Sequence, residues 1–93
     1  MSDIFAPVTL KGLALRNRFV RSATWEGLAA EDGSVTDGLV AYLTALAQGE
    51  VGLIIAGHAF VEWRGRVRPL QTGFHDSAMA PGLTRLTQAV HQA

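Results

Sequence analysis

Apolar residues in this chain recur with two different periods, and the two periods divide it into elements. Leu39, Val40, Leu43, Leu46 and Ala47 fall at i, i+1, i+4, i+7 and i+8, the stripe of an amphipathic helix. Thr36 and Asp37 stand just before it and can accept from unpaired first-turn amides. Gly49 follows it as a left-handed C-terminal residue would. These signals predict a helix over 36–48. The next run, Val51-Gly52-Leu53-Ile54-Ile55-Ala56, is apolar without alternation, rich in β-branched residues and bounded by Gly49 and Gly57. It predicts a strand over 51–57 covered on both faces, as in a parallel sheet. Leu83, Leu86 and Val90 mark a second helix over 80–93, with Pro81 in its first turn.

The first third of the chain reads as β. Val8-Thr9-Leu10 and Leu13-Ala14-Leu15 flank Lys11-Gly12 and predict a hairpin over 7–16 with an apolar face that needs a cover. A strand over 18–24 follows the polar break Arg16-Asn17-Arg18. Residues 27–34 and 62–76 read as polar connections. The order is hairpin, β, α, β, α, which implies βαβ crossovers and a parallel sheet. Two parallel strands with two helices do not make a complete domain, so the pattern points to part of a larger one.

Composition sharpens that reading. With 93 residues the chain allows a single domain. It is 48% hydrophobic and only 17% charged, against about 25% charged in an ordinary soluble domain. A small chain has the most surface for its volume and should be the more polar, so these apolar faces await neighbours. Eight basic residues balance eight acidic ones, which argues against nucleic acid or an anionic membrane as partner. No apolar run approaches the ~20 residues of a spanning helix. With no cysteine and no secretory signal, the expected location is cytoplasmic.

Candidate chemistry gathers where strands end. Ser22-Ala23-Thr24-Trp25-Glu26-Gly27 lies at the C-terminal end of the first parallel strand, the end that binds ligands in α/β barrels. Ala23 allows close approach of the backbone, Thr24 can donate or accept a hydrogen bond, and Trp25 can stack on a flat ligand or plug a barrel rim. At the second strand end, Gly57 lets backbone approach a ligand and His58 offers a ring nitrogen. A lone histidine reads first as a satisfied polar residue, and His75 and His91 are more ordinary still. No His, Asp or Glu grouping has metal-ligand spacing. No carboxylate pair can be placed across a cleft for acid–base work. No Gly-rich phosphate loop is present. Arg64, Arg66 and Arg68 form the one basic patch, either a solvated loop or a holder of phosphate or carboxylate.

The string Ile4-Phe5-Ala6-Pro7-Val8-Thr9-Leu10-Lys11-Gly12-Leu13-Ala14-Leu15-Arg16-Asn17-Arg18-Phe19-Val20-Arg21-Ser22-Ala23-Thr24 resembles the opening of the old yellow enzyme family, the FMN-dependent NAD(P)H:flavin oxidoreductases and ene-reductases. Val51 through Val61 look like that family's second barrel strand, and Gly65-Arg66 and the late helix follow in the same order. The resemblance implies the first two βα units of an FMN-binding (β/α)8 TIM barrel, preceded by a hairpin that closes the barrel bottom. By resemblance, Ala23, Thr24, Trp25, Gly57 and His58 contact the flavin. By resemblance, Trp25 stands where the family usually carries a Cys or Thr that tunes the flavin, which Trp cannot do as a hydroxyl or thiol does. FMN is the implied cofactor and NAD(P)H the implied reductant, with a small-molecule acceptor such as an activated alkene. No residue of the chain is expected to be itself catalytic, because the family's substrate-binding, proton-donating and phosphate-holding residues lie later in a barrel of at least ~250 residues. The 93-residue chain by itself is therefore expected to be inactive, either as a homo-oligomer or docked to the rest of the barrel. The competing reading is a non-catalytic α/β module that self-associates or docks to a partner through its apolar faces.

Overall fold

A computed structural model of the protein describes residues 3–93. Strands β1 (Val8–Leu10) and β2 (Leu13–Leu15) form an antiparallel hairpin, with Val8 opposite Leu15 and Leu10 opposite Leu13. Both turn residues have positive φ, +46° at Lys11 and +89° at Gly12, as a two-residue turn matched to strand twist requires. Strand β3 (Val20–Arg21) leads through helix α1 (Asp37–Gln48) to β4 (Leu53–Ile54). β3 and β4 pair in parallel, Val20 beside Leu53 and Arg21 beside Ile54. Helix α2 (Ala80–Gln92) closes the chain.

The core lies between the helices. Leu39 and Leu43 are 2% exposed and pack with Leu86, with Leu28, Val35, Ile54 and Val90 around them. The helical stripe thus faces α2 and β4, as its periodicity requires. Thr36 Oγ1 accepts from the Leu39 N–H at 3.1 Å and itself donates to the Leu28 carbonyl, tying the helix start to the loop before it. The helix end departs from expectation. Gly49 keeps φ at −77°, and the left-handed residue is Glu50 at +70°. The Glu50 N–H donates to Ala47 O and the Val51 N–H to Leu46 O, the reciprocal pattern that ends a helix one residue later than the glycine.

Asn17, 7% exposed, explains why the chain accepts that strain. Its Nδ2 donates to the Glu50 carbonyl and its Oδ1 accepts from the Phe19 N–H at 3.0 Å. One side chain thereby locks the entry of β3 to the turn that enters β4. Gly52 is part of the same joint, since a Cβ there would stand 2.7 Å from the Asn17 carbonyl. Asn17→Ala leaves both backbone partners unsatisfied in a part-buried site and should cost about 1–3 kcal/mol. A urea midpoint equal to wild type would refute this.

The strands pair over a shorter length than 18–24 and 51–57. The Leu53 N–H donates to Phe19 O at 3.1 Å and the Ile55 N–H to Arg21 O at 3.0 Å. The next rung of a parallel ladder would run from Ala23 N–H to Ile55 O. The Arg21 guanidinium takes that carbonyl instead, at 2.9 Å, and the ladder stops.

The connection 62–76 is a largely exposed but folded excursion. Phe60 bridges Gly73 in parallel, with the Phe60 N–H on Thr72 O and the Phe74 N–H on Phe60 O. The Phe60 ring, 2% exposed, meets Trp63 edge-on at 5.5 Å and stacks on His75 at 4.7 Å. Gly33 takes a φ of +91° against this ring, and its carbonyl accepts from the Gly73 N–H. Gln71, 4% exposed, accepts through Oε1 from the Val67 and Arg68 amides and so shapes the loop tip. Asp76 caps a short 3-10 turn (Ser77–Met79) that feeds α2.

The radius of gyration is 14.4 Å, against roughly 12 Å for a compact domain of this length. Phe5, Leu10, Leu13, Phe19 and Val20 stand exposed on and beside the hairpin. No helix among the described residues is long and apolar enough to cross a membrane.

Candidate functional site at the strand ends

The C-terminal ends of β3 and β4 lie side by side, and a buried ion pair joins them. Arg21 and Glu26 have side chains only 12% and 6% exposed and meet at 3.0 Å. Arg21 also donates to Ile55 O at 2.9 Å and to Thr24 O at 3.0 Å. Glu26 Oε2 accepts from the Gly57 N–H at 2.8 Å. A Cβ on Gly57 would stand 2.6 Å from the Thr24 carbonyl and would strike the Glu26 carboxylate. Charges buried this far are tolerable only when paired and hydrogen-bonded, and here both conditions hold.

Around this pair the sequence-predicted site residues fall into different roles. Thr24 and Gly57 are brought together. Ala23 and Thr24 are exposed, and neither backbone amide has a protein acceptor among the described residues. Thr24 Oγ1 donates to Ser22 O at 3.2 Å. The Gly57 N–H is committed to Glu26, so only its carbonyl and α-carbon remain for a ligand. His58 is exposed. The Trp25 indole folds over Gly27, which takes a φ of +68° beneath it, and Arg68 stacks on it at 5.0 Å. One face of Trp25 is thus occupied by a guanidinium from the β4 excursion.

Two of the three arginines of the basic patch are exposed, Arg64 and Arg68, and Arg68 lies over Trp25; Arg66 is half-buried and stacks on Trp63 at 4.3 Å. His75 is a packed member of the Phe60 cluster, and its Nδ1 is buried with no partner among the described residues. Asp32 Oδ1 accepts from the Ser34 hydroxyl and amide, which holds its carboxyl below the usual carboxylate range. No group of His, Asp and Glu among the described residues could hold a metal ion. Arg21 and Glu26 were not recognisable as a pair from sequence. A charged residue at a strand end followed by an opposite charge five positions later is the only signal, and it is common.

The chain, a hairpin ahead of a parallel βαβ unit, is similar to known proteins. The model of the NADH:flavin oxidoreductase / NADH oxidase family matches residues 3–93. The chain belongs to this family. It is 40% identical over 89 residues to a 4,4'-dithiodibutanoate disulfide reductase of Rhodococcus erythropolis, covering 96% of this chain and 22% of that protein. It is 36% identical over 90 residues to an NADH oxidase of Thermoanaerobacter brockii, covering 96% of this chain and 14% of the other. The solved structure of an Old Yellow Enzyme from a Pichia species superposes with a TM-score of 0.88 at 20% identity, over 96% of this chain and 23% of that one. The chain therefore spans about a fifth or less of the curated relatives it matches. Its fold is that of the N-terminal part of the family's (β/α)8 barrel: a hairpin and the first two βα units.

Proposed function

We propose that this chain forms part of the FMN floor of an NAD(P)H-dependent flavin oxidoreductase, with Ala23, Thr24, Trp25, Gly57 and His58 at the flavin. The observation that carries this reading is the pair of adjacent strand ends with small, exposed residues and unclaimed amides at Ala23 and Thr24. Such an edge fits a flat ring that needs hydrogen-bond donors at its rim and close backbone approach. When bound, FMN accepts hydride from a reduced nicotinamide and passes it to an activated alkene or similar acceptor. The protein's contribution here is to bind, orient and shield. The Ala23 and Thr24 amides donate, the Thr24 hydroxyl adjusts to its neighbours, and Trp25 with Arg68 walls one side. Trp25 has neither the hydroxyl nor the thiol that would tune the ring from that position.

The full-length protein, purified with FMN, should be yellow and should oxidise NADH or NADPH when given an activated alkene or 4,4'-dithiodibutanoate. Protein that stays colourless after incubation with FMN would sink the proposal. Residues 1–93 expressed alone should be colourless and oligomeric by light scattering, because Leu10, Leu13, Phe19 and Val20 are exposed. A monomer carrying stoichiometric flavin would contradict that expectation.

A further inference from the structure

The Arg21–Glu26 pair does more than neutralise itself, and its further hydrogen bonds reach Thr24, Ile55 and Gly57 at the two strand ends. Arg21 takes the Ile55 carbonyl that the Ala23 amide would claim in an uninterrupted ladder. It thereby ends the sheet and leaves the Ala23 N–H without a protein acceptor. Its second arm holds Thr24 O at 3.0 Å, and Glu26 holds the Gly57 N–H at 2.8 Å. Tyr42 of α1 lies beneath, its ring centre 5.9 Å from the guanidinium carbon. The guanidinium therefore lies on the side of the strand ends that faces α1.

We propose that Arg21 and Glu26 are positioning residues for the flavin: they free the Ala23 amide for an acceptor atom on the bound ring and fix Thr24 and Gly57 around it. The inference rests on the proposed function. Arginine suits this task because its planar fork reaches two carbonyls and a carboxylate at once, which a lysine ammonium on a flexible stem does not.

The test uses the full-length holoenzyme and reads FMN affinity, the visible flavin spectrum and the urea midpoint together. In Arg21→Met/Glu26→Leu the ladder can extend, so Ala23 re-pairs with Ile55. A buried pair replaced by apolar side chains of similar volume often keeps its stability. The expected result is a urea midpoint near wild type with FMN bound about tenfold or more weakly and a shifted flavin spectrum, the loss of one good hydrogen bond to the ligand. Unchanged affinity and spectrum would overturn the inference. Should the double variant not fold, Arg21→Lys carries the test. It keeps the charge and one contact, and is expected to fold yet bind FMN more weakly with an altered spectrum. Wild-type affinity and spectrum in Arg21→Lys would refute a positioning role. Wild-type protein that binds no FMN would fail the proposed function and this inference together. FMN binding by wild type with indifferent variants would fail this inference alone.

Discussion

Phe60→Ala is expected to release the loops above the strands while leaving the helices packed. The ring is 2% exposed and touches Trp63 and His75, and both Gly33 and Gly73 exist in their close form because of it. Truncating a buried Phe costs about 3–5 kcal/mol, the lost transfer energy plus the cavity left behind. That is comparable with the whole stability of a small domain. The loss should be local first, because the cluster connects the 27–36 and 57–76 segments and takes no part in the Leu39–Leu43–Leu86 core. Hydrogen exchange should show the Phe60, Gly73 and Phe74 amides losing protection while α1 keeps its own. Uniform protection across the chain, with a midpoint shift under about 1 kcal/mol, would contradict this role for Phe60.

Gly57→Ala is expected to be the most damaging single change at the candidate site. The added methyl group would lie 2.6 Å from a backbone carbonyl, which cannot swing aside, and against a carboxylate held by two partners. Overpacking of this kind costs about 1–3 kcal/mol, and it also pulls Glu26 off the Gly57 amide. In the holoenzyme, FMN affinity should fall by about tenfold or more, as one lost hydrogen bond and a displaced strand end imply. Gly65→Ala is the control. Nothing lies within 4 Å of its Cβ position and its φ is not positive, so stability and flavin binding should match wild type. Equal behaviour of the two variants would remove Gly57 from the site.

The legibility of this chain differs by element. Helix α1 could be read closely, since Leu39, Leu43 and Ala47 repeat with the period of the surface they bury and Thr36 caps on its own terms. The hairpin was legible from Lys11-Gly12 and its flanking leucines, although lysine is an unusual residue for a positive φ. Strand lengths were not legible. Val51 to Gly57 has the composition of a longer strand, but the ladder is stopped by a side chain, Arg21, whose sequence position says nothing about which carbonyl it will take. At the helix end, glycine is the residue best suited to the left-handed position. Glu50 occupies it because Asn17, 33 positions away, fixes its carbonyl.

The same division runs through the site. Ala23, Thr24, Trp25, Gly57 and His58 could be named from the rule that ligands meet strand C-termini and from family resemblance. Their assignment to the flavin remains the proposal made above; strand order and strand polarity decide only which residues reach that rim. By itself the sequence determined the element order, the parallel pairing, the apolar faces in need of cover and the end of the molecule at which to look. The tertiary structure alone decided that Gly57 spends its amide on Glu26, that Arg68 takes one face of Trp25, and that His75 joins the aromatic cluster around the buried Phe60 ring. These are contacts between residues 12 to 43 positions apart along the chain. Hydrophobic period and turn chemistry act over a few residues, whereas the partner of a buried charge or ring is chosen by whatever the completed fold brings within hydrogen-bonding or stacking distance.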